Sequence, residues 1–274
     1  MTARNLPIGV FDSGMGGLTV LKQLIHDHPH ESFIYLGDTA RLPYGTKSRE
    51  TVGRYALQAA KSLLNRQVKM LVIACNTAST ALPLLTAAFP DLPIVGVVEP
   101  GAKAAIVATR NKHIAVLATE TTITSGLYQA TIAKLAPDLT VFMQPCGLFV
   151  SLSEEGLIAG DIVDRVVQHY LQPVFAHMPD CDSIVLGCTH FPVLSEAIEA
   201  ALPDSVRVIN SAKVASETVS HELARLQLKA DAQQPSHAFL VTDQALRFAR
   251  VGKLFFGQEI SIDRIQLIDL TAHQ

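Results

Sequence analysis

The chain has 274 residues, 49% of them hydrophobic, and a formal net charge of −3. That length accommodates two domains of ordinary size, and the near-neutral balance gives no electrostatic case for nucleic acid or a membrane surface as partner. Charges, Gly or Pro interrupt the apolar runs before any could span a bilayer, and the opening MTARNLPIGVFDSG has no cleavage-like site, so the expectation is a cytoplasmic protein.

The first apolar run, Ile8–Phe11, reads as a strand and runs into Asp12-Ser13-Gly14-Met15-Gly16-Gly17. A Gly-rich turn there suggests a phosphate loop, but Leu18 and Thr19 follow Gly17 where a Walker loop needs Lys-Ser/Thr, and the glycine spacing misses G-x-G-x-x-G. Asp12 would also set a negative charge beside any phosphate. What remains is a carboxylate and a hydroxyl exposed at a strand end, suited to an ammonium group or a proton-handling neighbour; the plainer alternative is a cap for the next helix.

Further strands are expected at Phe33–Leu36, Met70–Ala74, Ile94–Val97, Ile114–Leu117, Thr140–Phe142, Ser183–Leu186 and Val206–Ile209. Helical patterns lie between them, such as Ser48–Leu64 with Val52, Tyr55, Ala59 and Leu63 on one face. This alternation predicts an α/β fold of mainly parallel sheets flanked by helices, with sites beyond the carboxyl ends of the strands. The polar stretch Ala230–His237 reads as a surface loop, and the basic stretch Arg247–Lys253 as a solvated face. Phe255-Phe256 reads as core or a subunit contact rather than a base-stacking platform.

The strand ends echo one another. LVIACNTAS (71–79) and SIVLGCTHF (183–191) share an apolar strand, a small residue, Cys and polar residues; IGVFDSG (8–14) and IAVLATE (114–120) also correspond. Two related α/β domains are therefore expected, residues 1–97 plus 211–274 carrying Asp12 and Cys75, and residues 98–210 carrying Cys188 and His190. Pseudo-twofold symmetry would place the site between them.

Cys75 and Cys188 each fall at an expected strand-to-helix turn, where a helix N-terminus lowers a thiol pKa. Either alone reads as a small buried hydrophobe, but the pairing puts one sulfur on each side of a cleft. Such a cleft suits racemisation, in which one thiolate removes a proton from one face of a stereocentre and a thiol returns one to the other. Asn76, Thr77 and Thr189 would supply donors to an anionic substrate, and His190 would exchange a proton with Cys188. A Cys–His nucleophile would leave one cysteine redundant. Zinc would use Cys188 and His190, but paired ligand spacings are absent. Cys146 and Cys181 receive no role, and all four cysteines read as free thiols in a reducing compartment.

At these residues the chain resembles the glutamate racemases of the aspartate/glutamate racemase superfamily. The similarity rests on FDSGMGGLTV (11–20), GDTARLPYG (37–45), ACNTAST (74–80), GVVEPG (96–101) and GCTHFP (187–192), which together span most of the sequence. It implies a cofactor-independent isomerase that interconverts L- and D-glutamate and supplies the D-form for peptidoglycan, with no pyridoxal phosphate and no metal. Cys75 and Cys188 would be the acid/base pair, Asp12 and His190 their assistants, and Glu154 a helping carboxylate unless the alignment slips to Glu155. Ser13, Tyr44, Gly45, Asn76, Thr77, Thr119, Thr122 and Thr189 would bind substrate, along with Asp12 and His190. Pro43 and Thr46 would extend the Tyr44 loop, and Asp38 would support catalysis or simply order its loop. A homodimer and a cell-wall-precursor activator fall within what the resemblance allows.

One departure stands out: the resemblance leads one to expect glycine around Thr119, where this chain has Ala118-Thr119-Glu120-Thr121-Thr122, which puts that loop's conformation in question. Lys47, Lys103 and Lys213 read as surface residues rather than a pyridoxal lysine. The competing readings are an aspartate racemase, disfavoured by His190 and Ser79, and a non-catalytic amino-acid binding protein, disfavoured because both cysteines are present.

Overall fold

A computed structural model describes residues 3–231 and 234–271. In chain order it runs β1 (Ile8–Asp12), α1 (Leu18–Asp27), β2 (Phe33–Gly37), α2 (Arg49–Leu64), β3 (Met70–Ile73), α3 (Asn76–Ser79), α4 (Leu82–Ala88), β4 (Ile94–Gly96) and α5 (Val98–Ala108). Then follow β5 (His113–Ala118), α6 (Glu120–Thr124), α7 (Leu127–Leu135), β6 (Thr140–Pro145), α8 (Gly147–Glu154), α9 (Asp161–His177), β7 (Ser183–Gly187), α10 (Ser195–Ala200) and β8 (Arg207–Asn210). The chain closes with α11 (Ser211–Arg225), β9 (His237–Val241), α12 (Ala245–Phe256) and β10 (Ile265–Leu267).

The strands form two parallel sheets. The larger has the order β10-β9-β2-β1-β3-β4 and the smaller β6-β5-β7-β8. Buried runs such as MLVI in β3 and SIVLG in β7 have no solvent face, because helices cover both sides of each sheet. The core divides accordingly. One pair of clusters sandwiches the large sheet, with α1, α11 and α12 on one face and α2 on the other. A second pair sandwiches the small sheet.

The order β2-β1-β3-β4 recurs as β6-β5-β7-β8, so the sequence echo is a repeated topology. In each sheet the chain leaves the first strand to one side and returns on the other. That reversal opens a crevice at the carboxyl ends of β1 and β3, and again at those of β5 and β7, the places where parallel sheets bind ligands. Asp12 and Cys75 stand at the first reversal, Thr119 and Cys188 at the second.

All eight expected strands form, with ends shifted by a residue or more. Two were missed, β9 and β10, and His237, read as the end of a loop, opens β9. β9 pairs with β2 over five residues and completes the large sheet from the far end of the chain. Of the stretch read as a loop, residues 232 and 233 lie outside the described residues. The expected helix 48–64 begins at Arg49, because Ser48 is its cap and its hydroxyl accepts from Thr51 N–H at 3.2 Å. Phe255 and Phe256 are core. No helix among the described residues is long and apolar enough to cross a membrane.

Candidate active site

β1 ends in a buried carboxylate. Asp12 has no exposure, and its Oδ2 accepts the Gly14 N–H at 2.8 Å while Thr189 Oγ1 donates to Oδ1 at 3.3 Å. It thus orders the glycine turn and also faces the small-sheet side, but it is not the helix cap of the plainer alternative, since the N-cap of α1 is Gly17. Burial raises its pKa, opposed by the nearby His190 charge and the backbone donors.

Cys75 caps α3, and its Sγ accepts from Ala78 N–H at 3.4 Å and lies 3.5 Å from Ser13 Oγ. The expectation of a lowered thiol pKa fails here. Burial first and the Asp12 charge second push the thiol up to about 12, against the Ser13 and Ala78 hydrogen bonds. A four-residue helix adds too little dipole to offset complete burial beside a carboxylate. A charge on Cys188 would raise it further, so the two sulfurs oppose simultaneous ionisation.

Cys188 does not start an α-helix as expected; a turn and the 3-10 segment Phe191–Leu194 follow it. Its Sγ lies 3.8 Å from His190 Nδ1, and His190 Nε2 lies 3.1 Å from Glu154 Oε1. Burial pulls the imidazole pKa down, but Cys188, Glu154 and Asp12 together outweigh it and push it up to about 10. Of the two adjacent glutamates, Glu154 is 11% exposed and lies against His190, whereas Glu155 is 67% exposed on the surface.

The hydroxyls gather where the sheets meet. Thr77 Oγ1 lies 2.9 Å from Thr119 Oγ1 and 3.1 Å from Thr122 Oγ1, and those two are 3.0 Å apart. Asn76 Oδ1 accepts from Tyr128 OH at 2.8 Å, and its buried Nδ2 has no partner among the described residues. A buried amide donor left without a partner is costly, so this one calls for an explanation. The Thr119 loop adopts ordinary backbone without glycine: Thr119 has φ −74° and ψ 158°, and Thr121 Oγ1 donates to the Gly45 and Lys47 carbonyls at 2.8 and 2.9 Å.

Tyr44 is buried, but its hydroxyl donates to Asp38, which also takes Arg41 Nε at 2.6 Å and Thr242 Oγ1 at 3.0 Å. Asp38 is therefore a loop-ordering hub. Tyr44 belongs to the turn that presses Gly45 against Thr119, while Pro43 and Thr46 are exposed. Among the described residues no three His, Cys, Asp or Glu side chains are grouped to hold a metal ion. A cavity of about 270 Å³ bounded by Met15, Leu42, Glu154, Arg247 and Phe248 reaches the Glu154 end of the site.

Residues 17–219 match the model of the Asp/Glu/hydantoin racemase family. The chain belongs to that family. It is 39% identical to a glutamate racemase of Syntrophus aciditrophicus over 264 residues, covering 95% of this chain and 97% of the relative. A crystal structure of Francisella tularensis glutamate racemase in complex with D-glutamate superimposes with a TM-score of 0.91 at 38% identity, covering 98% of this chain and all of that one. The Escherichia coli glutamate racemase, solved with L-glutamate and the activator UDP-MurNAc-Ala, gives 0.75 at 30% identity over 91% of this chain and 95% of that one. This racemase is an isomerase on an α/β fold of two parallel sheets.

Several site neighbours were missed in the sequence. Tyr128 carries no motif, and Phe255 packs edge-on to His190 with ring centroids 5.2 Å apart. The basic stretch at Arg247 is not wholly solvated, since Arg247 reaches Glu154 Oε2 at 3.5 Å and Glu155 Oε1 at 3.4 Å. Gly16 was visible only as a turn residue, yet a Cβ there would stand 2.5 Å from His190 Nδ1 and 2.6 Å from Thr189 Oγ1. Gly16→Ala should displace the imidazole by about 1 Å and lower turnover about 100-fold. Steady-state racemisation assays beside thermal melts check this; near-normal turnover would show that the ring has room to move.

Proposed function

We propose that this chain interconverts L- and D-glutamate without a cofactor, with Cys75 and Cys188 acting on opposite faces of the α-carbon. The observation that carries the reading is the pair of buried thiols, one from each sheet, each with its own proton partners: Asp12 and Ser13 beside Cys75, His190 and Glu154 beside Cys188. One sulfur as thiolate removes the α-proton while the other as thiol delivers one from the opposite side. The reverse direction exchanges their states. Mutual repulsion between the sulfurs favours this one-thiolate, one-thiol state.

Asp12 would receive the substrate ammonium, whose charge offsets the carboxylate that holds the Cys75 pKa up. Asn76 Nδ2 and the hydroxyls of Thr77, Thr119, Thr122 and Thr189 would take the carboxylates and stabilise charge developing at the α-carbon. Gly45 and the Tyr44 turn would close one side. The units 1–97 plus 211–274 and 98–210 would act as two domains that shut over the substrate and exclude water. D-Glutamate made in the cytoplasm would enter peptidoglycan. An activator of the kind bound by the E. coli relative and a homodimer are compatible additions.

The test is incubation with L-glutamate in deuterium oxide without added cofactor, with L-aspartate in parallel. Optical rotation and α-deuterium incorporation are followed together. Glutamate-selective loss of rotation with deuterium in the product is expected. Exchange on aspartate alone, or on neither amino acid with a wall-precursor activator present, would overturn the reading.

A further inference from the structure

α12 stands on the large sheet, yet two of its side chains reach the proton-handling group of the small sheet. Arg247 Nη2 lies 3.5 Å from Glu154 Oε2, the oxygen that His190 does not use, since His190 Nε2 meets Oε1 at 3.1 Å. About two turns on, the Phe255 ring meets the His190 ring edge-on at 5.2 Å and 77°. One helix therefore touches both members of the His190–Glu154 pair. The Arg247 side chain is 34% exposed and Glu154 11%, so the contact is shielded enough to orient a carboxylate. Arg247 also donates a hydrogen bond to Glu155 Oε1 at 3.4 Å, but Glu155 is 67% exposed, so solvent screens that pair more than the one with Glu154.

We infer that Arg247 is a positioning residue for the Cys188 half of the reaction: it fixes Glu154 so that Glu154 accepts the His190 Nε2 hydrogen bond, and it does so from the opposite sheet unit. Cys188, His190 and Glu154 all lie in residues 98–210, so the relay Cys188–His190–Glu154 is complete in geometry only when α12 is seated on it. Proton handling at Cys188 is thereby tied to closure of the site. Without the guanidinium, Glu154 is free to swing into the adjoining cavity and leave His190 Nε2 unpaired.

The proposal rests on the racemase reading, and the experiment separates the two. In protein labelled at histidine, the His190 ring signal, assigned through His190→Asn, is titrated by NMR in the wild type, Arg247→Met, Arg247→Lys and Glu155→Gln. The groups facing His190 are Cys188 from the end of β7, Asp12 from β1 and Glu154 from α8, with uncharged Phe255 from α12, and none of these is altered. The wild-type ring should stay protonated to about pH 10. Arg247→Met should titrate about one pH unit lower, Arg247→Lys should recover at least half of that, and Glu155→Gln should match the wild type.

In turnover, Arg247→Met should lower kcat about tenfold with KM changed less than about threefold, and should cost nothing further in a Glu154→Gln background. An unmoved His190 titration, or equal losses in both backgrounds, overturns the inference. The titration needs no turnover, so an inactive wild type would count against the racemase reading alone.

Discussion

Replacing either Cys75 or Cys188 by Ser should lower kcat/KM by at least about 1,000-fold, and by the same factor for L- and D-glutamate. Enantiomers have equal free energies, so the ratio of the two kcat/KM values is fixed at one in any variant and at any pH. The asymmetry of the site must therefore appear in partial reactions. On the proposed two-thiol mechanism, each single variant keeps one thiol that faces one enantiomer only. Cys75→Ser and Cys188→Ser should each retain slow α-deuterium washout without inversion, and for opposite enantiomers. Loss of α-deuterium from 2-deuterated L- and D-glutamate in ordinary water measures this. Washout of both enantiomers by one variant would mean that a single base serves both faces, and the two-thiol mechanism would fall. The pH dependence has a defined sign: burial beside Asp12 holds the Cys75 proton on to about pH 12 without substrate, so kcat/KM should rise from neutral toward alkaline pH.

The second large effect is on stability, far from the site. Lys69 and Glu31 are 2% and 5% exposed, and Lys69 Nζ donates to Glu31 Oε2 at 2.5 Å, to the Leu228 carbonyl at 2.8 Å and to the Arg4 carbonyl. Glu31 Oε1 accepts the Ala230 N–H at 2.8 Å. One ion pair thus ties the N-terminal segment, the approaches to β2 and β3, and the chain leaving α11. Glu31→Ala should cost about 3–5 kcal/mol, because it strands a buried ammonium. For a chain of this size that lowers Tm by roughly 10 °C. Glu31→Leu combined with Lys69→Met should regain most of the loss, since apolar side chains of similar volume need no partner. Calorimetry on the three proteins decides this; a double variant as unstable as Glu31→Ala would show that the pair itself, rather than its breakage, carries the stability.

Much of the architecture was legible in the sequence because its causes are local. Doubly buried strands need uninterrupted apolar runs, and β1, β3 and β7 announced themselves that way, while the edge strands β6 and β8 showed as shorter apolar runs between helical patterns. The likeness of LVIACNT to SIVLGCT pointed to two related α/β units, and the strand order β2-β1-β3-β4 does recur as β6-β5-β7-β8. β9 and β10 escaped because HAFLV follows a polar stretch that reads as loop and IQL is only three residues long. They are strands because β2 has a free edge to pair with, which no local pattern reports.

The site divides in the same way. Asp12, Cys75, Asn76, Thr77, Cys188, Thr189 and His190 are visible in sequence as polar residues at strand ends. What they meet was not: His190 and Glu154 are 36 residues apart, Thr77 and Thr119 are 42, and Arg247 and Glu155 are 92. The first meeting exists because α8 packs on the segment that follows β7 within the small-sheet unit, and the other two because two separately wound sheets face one another; sequence spacing encodes neither. The ionisation of the site was misjudged for a related reason. A strand-to-helix turn predicts a stabilised thiolate at Cys75, but complete burial beside Asp12 reverses that sign. The sequence by itself determined eight of the ten described strands, the repeat and the placing of two cysteines at strand ends, since turn chemistry and hydrophobic pattern act over a few residues. Only the tertiary structure decided which carboxylate lies against His190, that Arg247 reaches this carboxylate and Phe255 the imidazole ring from the other sheet, and which way the Cys75 thiol and the imidazole shift, since burial and long-range contact set those energies.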